Sequence, residues 1–144
     1  MSQHELDREV KRILSRYRTV AVVGLSKDPS KDSHVVAKYL GSEGYKIVPI
    51  NPFCDEVLGK KCYRSLLETP EEVAKSIEIV DIFRPPSEVP QIVEQAILLR
   101  KRYGKPDVIW MQLGIVNEGA AETARDAGMI VVMDRCIKIE HSRM

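Results

Sequence analysis

The chain has 144 residues with a formal net charge of +1; 44% of them are hydrophobic, 30% charged and 6% aromatic. This length and composition predict one soluble globular domain. The small net charge and the few aromatic side chains offer neither a basic surface nor stacking platforms for nucleic acid. We therefore expect no nucleic-acid partner.

The sequence also argues against a membrane or secreted protein. No apolar run approaches the roughly 20 residues of a membrane span, and the polar segment 1–18 does not resemble a signal peptide. The three cysteines, Cys54, Cys62 and Cys136, lack Cys-x-x-Cys spacing, and their odd number disfavours a closed disulfide framework. We expect a cytoplasmic protein, and the abundance of Lys, Arg and Glu is typical of thermophiles.

The first half of the chain alternates helical and strand patterns. Apolar residues at helical spacing from Leu6 to Tyr17 predict an amphipathic N-terminal helix, within residues 1–18, that packs on the domain. Ser33 is the expected N-cap of the next helix, and Gly44 is its expected stop. The predicted elements here are a strand at Thr19–Gly24, a helix at Ser33–Glu43 and a strand at Tyr45–Ile50.

The second half continues the alternation after a turn-like segment, Phe53–Ser65. Thr69, Ser87 and Asn117 are the expected N-caps of three helices, and the last of these ends at Gly128. The predicted strands of this half are Ile77–Phe83, Asp107–Met111 and Met129–Met133.

Continuously apolar strands that alternate with helices predict a parallel sheet covered on both faces. The expected fold is therefore a doubly wound, Rossmann-like α/β domain of about five strands over residues 1–144. In such folds the ligand binds at the carboxyl ends of the strands, where the strand order reverses.

The segment after the first strand is the strongest indication of a ligand. The strand stops at Gly24, and a polar loop leads into a helix, an arrangement whose backbone N–H groups suit an anion. No second or third glycine follows at dinucleotide spacing, so NAD is disfavoured. The alternative is that Ser33 only caps the helix and the lysines are solvated. The candidate phosphate-binding residues of the loop are Gly24, Leu25, Ser26, Lys27, Ser30, Ser33 and His34.

Two proline-containing strand ends are further candidates. Asn51 stands where a dinucleotide-binding domain usually has an acidic residue for the ribose, and Pro52 follows it. This turn is either a wall for an adenine ring or simply a stiff bend. Arg84, Pro85 and Pro86 predict an extended wall for a narrow aliphatic ligand, or merely punctuation before a helix.

Catalytic groupings are sparse in this sequence. His34 is the one histidine far from the termini, and no Ser-His-Asp arrangement, carboxylate pair or metal-ligand spacing is evident. Cys136 follows Asp134 and Arg135 at the end of the fifth strand, where a neighbouring cation favours a thiolate. The alternative is a buried, inert cysteine.

Five motifs together give the chain a resemblance to a known family. Taken in order, they resemble the single-domain CoA-binding proteins, which share a Rossmann-like fold with the CoA-binding domain of the succinyl-CoA synthetase alpha subunit. The motifs are VVGLS at Val22–Ser26, INPF at Ile50–Phe53, IFRPP at Ile82–Pro86, WMQLGI at Trp110–Ile115 and MDRCIKIEH at Met133–His141.

The resemblance implies coenzyme A as the ligand and assigns residues to its parts. The larger synthetases carry their phosphorylated histidine in a second domain that this sequence does not show, so the resemblance implies binding rather than ligase activity. The implied contacts are Gly24-Leu25-Ser26-Lys27 for the phosphates, Asn51-Pro52 for the adenosine, and Arg84-Pro85 with Met111-Gln112-Leu113-Gly114 for the pantetheine arm.

Three functional hypotheses follow from the sequence. The leading one is a non-catalytic binder of CoA or an acyl-CoA that acts as a carrier, buffer or sensor. The second is an enzyme, either an NAD(P)-dependent oxidoreductase or a subunit of a CoA-transferring complex. The third is a redox module in which Cys136 exchanges with the CoA thiol. The amphipathic N-terminal helix also suggests a homodimer.

Overall fold

The computed structural model describes residues 2–144, and within them no helix is long and apolar enough to cross a membrane. The strands are β1 (Thr19–Val23), β2 (Lys46–Ile50), β3 (Glu56–Val57), β4 (Lys60–Lys61), β5 (Ile79–Ile82), β6 (Val108–Met111) and β7 (Ile130–Val132). The helices are α1 (Gln3–Arg16), α2 (Asp32–Ser42), α3 (Glu71–Ala74), α4 (Val89–Tyr103), α5 (Glu118–Asp126) and α6 (Ile137–Ser142).

Five of the strands form one parallel sheet in the order β2-β1-β5-β6-β7. The chain runs outward from β1 to β2, then returns to place β5 on the other side of β1. The strand order therefore reverses between β1 and β5, which is where doubly wound folds bind ligands. The Rossmann-like α/β prediction is confirmed.

Both faces of the sheet are buried, as the continuously apolar strands predict. Along β1, Val20 and Val22 face a core layer that includes Leu14 of α1, Leu40 of α2 and Ile137 of α6. The alternate β1 residues face the opposite layer, which α3, α4 and α5 supply. This alternation follows from the two-residue period of a strand. The amphipathic N-terminal helix is confirmed, and Met1 lies outside the described residues.

Three predicted helix caps are wrong. Ser33 lies inside α2, whose N-cap is Lys31 without a side-chain capping bond, and Ser33 Oγ instead accepts from the Ser26 N–H. Thr69 precedes a helix that begins at Glu71, and its hydroxyl donates to the Leu66 carbonyl. Ser87 lies within a 3₁₀ turn, Pro86–Glu88, before α4. For Ser33 and Thr69, a tertiary or local turn uses the hydroxyl that the sequence assigns to a cap.

Asn117, in contrast, caps α5 as predicted, because its Oδ1 accepts from the Ala120 N–H at 2.9 Å. The turn-like segment contains a short hairpin, in which the two-residue strands β3 and β4 pair antiparallel. The sequence did not predict α6, a six-residue helix that packs beside α1 and α2. Its His141 Nδ1 lies 2.8 Å from the Tyr39 hydroxyl of α2. A helix this short depends on such tertiary contacts rather than on intrinsic propensity.

Candidate functional site

The ends of β1 and β5 approach each other closely at the reversal point. Gly24 follows β1 with φ +89°, and a Cβ built there would lie 2.8 Å from both the Phe83 carbonyl oxygen and Arg84 Cδ. An L side chain would therefore be both strained and in collision. Gly24 is required for this close approach, with or without a ligand.

The loop between β1 and α2 is held by its own polar groups. The Ser26 N–H donates to Ser33 Oγ at 2.9 Å, and the Asp28 N–H donates to Ser26 Oγ at 3.0 Å. Asp28 accepts from both the N–H and the hydroxyl of Ser30, and these bonds hold the pKa of Asp28 below its ordinary value. The three serines thus shape the loop, and their contacts to a ligand remain a prediction.

His34 and Asn51 fix the same loop from outside. The ring of His34 is largely buried and donates from Nδ1 to the Ser26 carbonyl at 2.9 Å. Asn51 Nδ2 donates to the Leu25 carbonyl at 2.9 Å, while its Oδ1 accepts from the Phe53 N–H. An aspartate at position 51 cannot make the first of these bonds while ionised. This explains the amide at the position where dinucleotide-binding domains carry an acid.

Positive charge at this edge is left without protein partners. Lys27, Lys31 and Arg64 are exposed, and their side chains make no ion pair or hydrogen bond within residues 2–144. Arg84 differs, since its guanidinium pairs with Glu88 at 2.8 Å. The unpaired cations give this edge the electrostatic character that an anionic ligand requires.

A cavity of about 430 Å³, which we call the α4 cavity, opens on one side of Arg84. It lies between the ends of β1 and β2, the segment before the Leu66–Glu68 3₁₀ turn, and α4, and half of its lining residues are polar. The polar members are Asn51, Arg64, Ser65, Arg84, Glu88, Gln91 and Gln95, and Pro52 and Phe53 form an apolar wall.

A second cavity of about 510 Å³, the α6 cavity, opens on the other side of Arg84. It lies between α2, the segment after β5, the segment after β6, and α6, and two thirds of its lining residues are apolar. These are Val35, Val36, Phe83, Pro85, Leu113, Ile115, Cys136 and Ile139; the remainder are Asp32, Arg84, Gln112 and Lys138.

Gln112 is the most buried polar side chain of the α6 cavity, with 4% of its surface exposed. Its Oε1 accepts from the Ile137 N–H at 3.0 Å, so it satisfies the first backbone donor of α6. Because the donor is an N–H, the amide oxygen must face Ile137 and the amide nitrogen the other way. Within residues 2–144, Gln112 Nε2 has no hydrogen-bond partner. Among the described residues only the Asp81 oxygens are both buried and unpaired, so Gln112 Nε2 is accessible and available to a ligand in the cavity.

The segment that carries Cys136 is tied to β6 and to α1. The Trp110 indole N–H donates to the Arg135 carbonyl at 2.8 Å, and the Gly114 N–H donates to Asp134 at 2.7 Å. The Arg135 guanidinium binds Asp7 and Glu140, each at 2.7 Å. These bonds position the half-buried Cys136 in the wall of the α6 cavity, while the Arg135 charge is used elsewhere.

Asp81 is a buried carboxyl that the site does not use. It lies in the middle of β5 between Val22 and Trp110, fully buried, and neither oxygen has a hydrogen-bond partner. Burial raises the pKa of Asp81 well above its ordinary value, so the folded protein favours the protonated acid. Among residues 2–144 no group of His, Cys, Asp or Glu side chains is arranged to hold a metal ion.

The structure distributes the predicted site residues between the two cavities and the core. Leu25 and Met111 are wholly buried, whereas Ser26, Lys27, Ser30, Ser33, His34 and Gly114 line neither cavity. Gly24, Asn51 and Pro52 line the α4 cavity, Pro85, Gln112, Leu113 and Cys136 line the α6 cavity, and Arg84 lines both.

Several lining residues were not predicted from the sequence, notably Arg64, Gln91, Gln95, Val36 and Ile139. The two glutamines are one helical turn apart on α4, a spacing that is common on any solvated helix face. Arg64 lies in an irregular segment without a motif. Only the packing of these elements shows that they face a cavity.

Comparisons with known proteins identify relatives of this chain. The YneT protein of Bacillus subtilis (strain 168) is 40% identical over 93% of each chain. A protein of known structure from Pyrococcus horikoshii OT3 is 41% identical, with a TM-score of 0.85 over 95% of this chain and 90% of that one. The alpha subunit of acetate–CoA ligase (ADP-forming) II from Pyrococcus furiosus is 30% identical over 85% of this chain, which spans only 27% of that subunit. The model of the CoA-binding domain family matches residues 18–142, and the chain therefore belongs to that family.

Proposed function

We propose that this protein binds CoA, free or acylated, at the carboxyl edge of its sheet and acts as a carrier, buffer or sensor without catalysis. The observation that supports this most directly is the meeting of two unlike cavities at Arg84, where the strand order reverses. CoA itself joins a polar nucleotide to a long, largely aliphatic arm. Each end of the molecule therefore has a cavity of matching character.

The residues at each end fit that orientation. In the α4 cavity, Asn51, Gln91 and Gln95 supply donors and acceptors for an adenosine, and Arg64 supplies a cation for a phosphate. Lys27 and Lys31 are the free cations of the loop beside the diphosphate. The arm then passes Pro85, Gln112 and Leu113, as the family resemblance implies.

The chemistry of the described residues favours binding over catalysis. His34 uses Nδ1 to hold the Ser26 carbonyl, and Ser33 uses its oxygen to hold the Ser26 N–H. Neither group is arranged as a nucleophile and base, which would have to bond each other. Both act as supports of the loop.

A titration with CoA, NAD, NADH and NADPH separates CoA binding from the oxidoreductase alternative. Asn51 cannot replace the carboxylate that accepts from both ribose hydroxyls, so we expect no saturable NAD binding below millimolar concentration. CoA at about 100 times its dissociation constant should stabilise the fold by about 2.7 kcal/mol. Tight NAD binding that competes with CoA would favour the oxidoreductase.

A subunit of a CoA-transferring enzyme is the second candidate, because the chain matches ADP-forming acetate–CoA ligase subunits. This chain spans only a small part of those proteins. Ligase activity is therefore only a proposal for this chain. The test is to incubate the purified chain with acetyl-CoA, ADP and phosphate. We expect no ATP; ATP formation would replace the binding proposal with a ligase.

A redox role for Cys136 is supported by its position in the α6 cavity. In the exchange, the Cys136 thiolate would attack CoA disulfide, forming a Cys136–CoA disulfide and releasing one CoA thiolate. The Arg135 charge does not assist, since it binds Asp7 and Glu140. Intact mass spectrometry after incubation with CoA disulfide tests this role. An adduct lost in Cys136→Ser, but kept in Cys54→Ser and Cys62→Ser, supports it; no adduct refutes it.

The homodimer remains a prediction, as does the cytoplasmic location. The apolar face of α1, on which the dimer was predicted, packs Val10, Ile13 and Leu14 into the core of the same chain. That face is therefore not free for a partner. Sedimentation velocity tests the oligomeric state, and a stable dimer would require a different surface.

A further inference from the structure

We propose that the α6 cavity binds the aliphatic acyl chain of an acyl-CoA thioester, so that the protein prefers acyl-CoA to free CoA. This inference rests on the proposed CoA binding and names the class of CoA ligand. The cavity has the volume and the mainly apolar lining, with a few placed polar groups, that small-molecule sites share.

The α6 cavity adjoins the proposed nucleotide site at one residue. Arg84 lines both cavities, and Pro85 extends the wall from the reversal point towards Leu113. A molecule whose nucleotide lies in the α4 cavity and whose arm crosses at Arg84 therefore ends in the α6 cavity. The part of the ligand that lies in the α6 cavity is then the CoA sulfur and the group bonded to it.

The mouth of the cavity exposes apolar side chains from three separate elements. Val35 of α2 is 39% exposed, Leu113 after β6 is 64% exposed, and Ile139 of α6 is 41% exposed. Free CoA ends in a thiol and would leave these side chains in water. An acyl chain would cover them, at about 25 cal/mol for each Å² of apolar surface removed from water.

Gln112 adds a polar group that an aliphatic pocket alone would not need. Its side chain is buried, its Oε1 is committed to the Ile137 N–H, and its Nε2 has no partner within the described residues. Nε2 is accessible from the cavity and holds no protein bond, so it can donate to an acceptor there without breaking one. A thioester ligand brings such an acceptor, its carbonyl oxygen, next to the acyl chain.

Isothermal titration with CoA, acetyl-CoA, butyryl-CoA and hexanoyl-CoA tests the inference. Each buried methylene should tighten binding by about fourfold, the equivalent of about 0.8 kcal/mol, until the cavity is full. The Gln112 side-chain amide resonances should shift with the acyl-CoAs and shift less with free CoA. If CoA binds and the acyl-CoAs bind no tighter, the acyl site is refuted while CoA binding stands. If none binds, both proposals are refuted.

Two variants separate the acyl site from a general effect. Ile139→Lys places a charge at the mouth and should reduce the ratio of hexanoyl-CoA to CoA affinity towards one. Leu98→Lys, at an exposed leucine of α4 that lines neither cavity, should keep the wild-type ratio. An unchanged ratio in Ile139→Lys would refute the site. A second result would also refute the acyl site: a wild-type protein that is a dimer, shows no acyl preference and dissociates on the Ile139→Lys substitution. The mouth of the cavity would then be covered by a second copy of the chain.

Gln112→Glu tests the donor separately from the apolar wall. The glutamate keeps an oxygen for the Ile137 N–H but replaces the amide nitrogen with a second oxygen. We expect hexanoyl-CoA to bind at least tenfold more weakly than to the wild type, with a smaller loss for free CoA. Equal losses for both ligands would refute the role of Gln112 at the thioester.

Discussion

The amino edge and the carboxyl edge of the sheet use polar residues in opposite ways. At the amino edge Arg100 donates to Asp107 at 2.8 Å and to the carbonyls of Pro106, Ala127 and Gly128. At the carboxyl edge Lys27, Lys31 and Arg64 have no side-chain partners within residues 2–144, and neither has the amide nitrogen of Gln112.

Carboxylates of the amino edge are bonded within the protein as well. At the amino edge Glu78 accepts from the Arg18 and Thr19 N–H groups. Partial burial opposes ionisation of Asp107, but bonds from Lys105 and Arg100 outweigh it and hold the pKa of Asp107 below its ordinary value. Polar groups that bond one another stabilise the fold, whereas those left free are available to a ligand. The difference supports the proposed binding at the carboxyl edge.

Arg100→Met should produce the largest effect, on stability alone. The variant removes several charge-assisted hydrogen bonds and leaves the Asp107 carboxylate with fewer partners, so we expect a loss of about 3 kcal/mol in the free energy of unfolding. Urea denaturation measures it, and Arg125→Met, at an exposed arginine of α5, is the control with a change below about 0.5 kcal/mol. A large loss of CoA affinity in folded Arg100→Met would contradict the division between the edges.

Ser26→Asp should have the opposite effect, on CoA binding rather than on stability. An aspartate can still accept from the Asp28 N–H, so the loop keeps its shape, but its charge would repel the CoA diphosphate. We expect CoA to bind about 100-fold more weakly, with little change in the melting temperature. Ser26→Asn is the neutral control of the same size. Unchanged affinity by calorimetry in the aspartate variant would show that the phosphates bind elsewhere.

Asp81→Val tests a buried polar group that belongs to neither edge. Replacing an unpaired buried carboxyl by an apolar side chain should raise the free energy of unfolding by about 2 kcal/mol at neutral pH. The wild type should also lose stability as pH rises above about 4, because the unfolded chain releases this proton before the folded protein does. The valine variant should lack that component. Denaturation of both proteins across pH measures the gain in stability and its pH dependence. Asp81→Asn is the control that keeps a polar side chain without the charge. A less stable Asp81→Val would show that the carboxyl has a partner.

Arg64→Ala should have the smallest of these effects. Loss of one exposed cation in the α4 cavity should weaken CoA binding by about tenfold. The loss should be smaller for dephospho-CoA, which lacks the phosphate on the ribose. Lys60→Ala, on the neighbouring hairpin but outside both cavities, is the control. Equal losses for the two ligands would place Arg64 away from that phosphate.

Tertiary structure decided several features that local sequence could not. Ser33 has the residue type of a cap but lies inside α2, because its oxygen meets the Ser26 N–H across the loop. The sequence does not predict α6, since six residues form a stable helix only against α1 and α2 and with Gln112 at their first N–H. The α6 cavity, which this helix completes, therefore could not be predicted from the sequence either.

The sequence by itself determined the fold class and the family, and it predicted a ligand at the carboxyl edge. Short apolar strands and helices with one apolar face leave few arrangements that bury both, and Gly24 marks the place where two strand ends must nearly touch. Which side chains share a cavity was decided by packing alone. Arg84 borders both cavities and Gln112 is left with a free donor because residues distant in the chain, from Val35 to Ile139, meet there. A linear pattern does not contain that proximity; the crossing of the chain between β1 and β5 creates it.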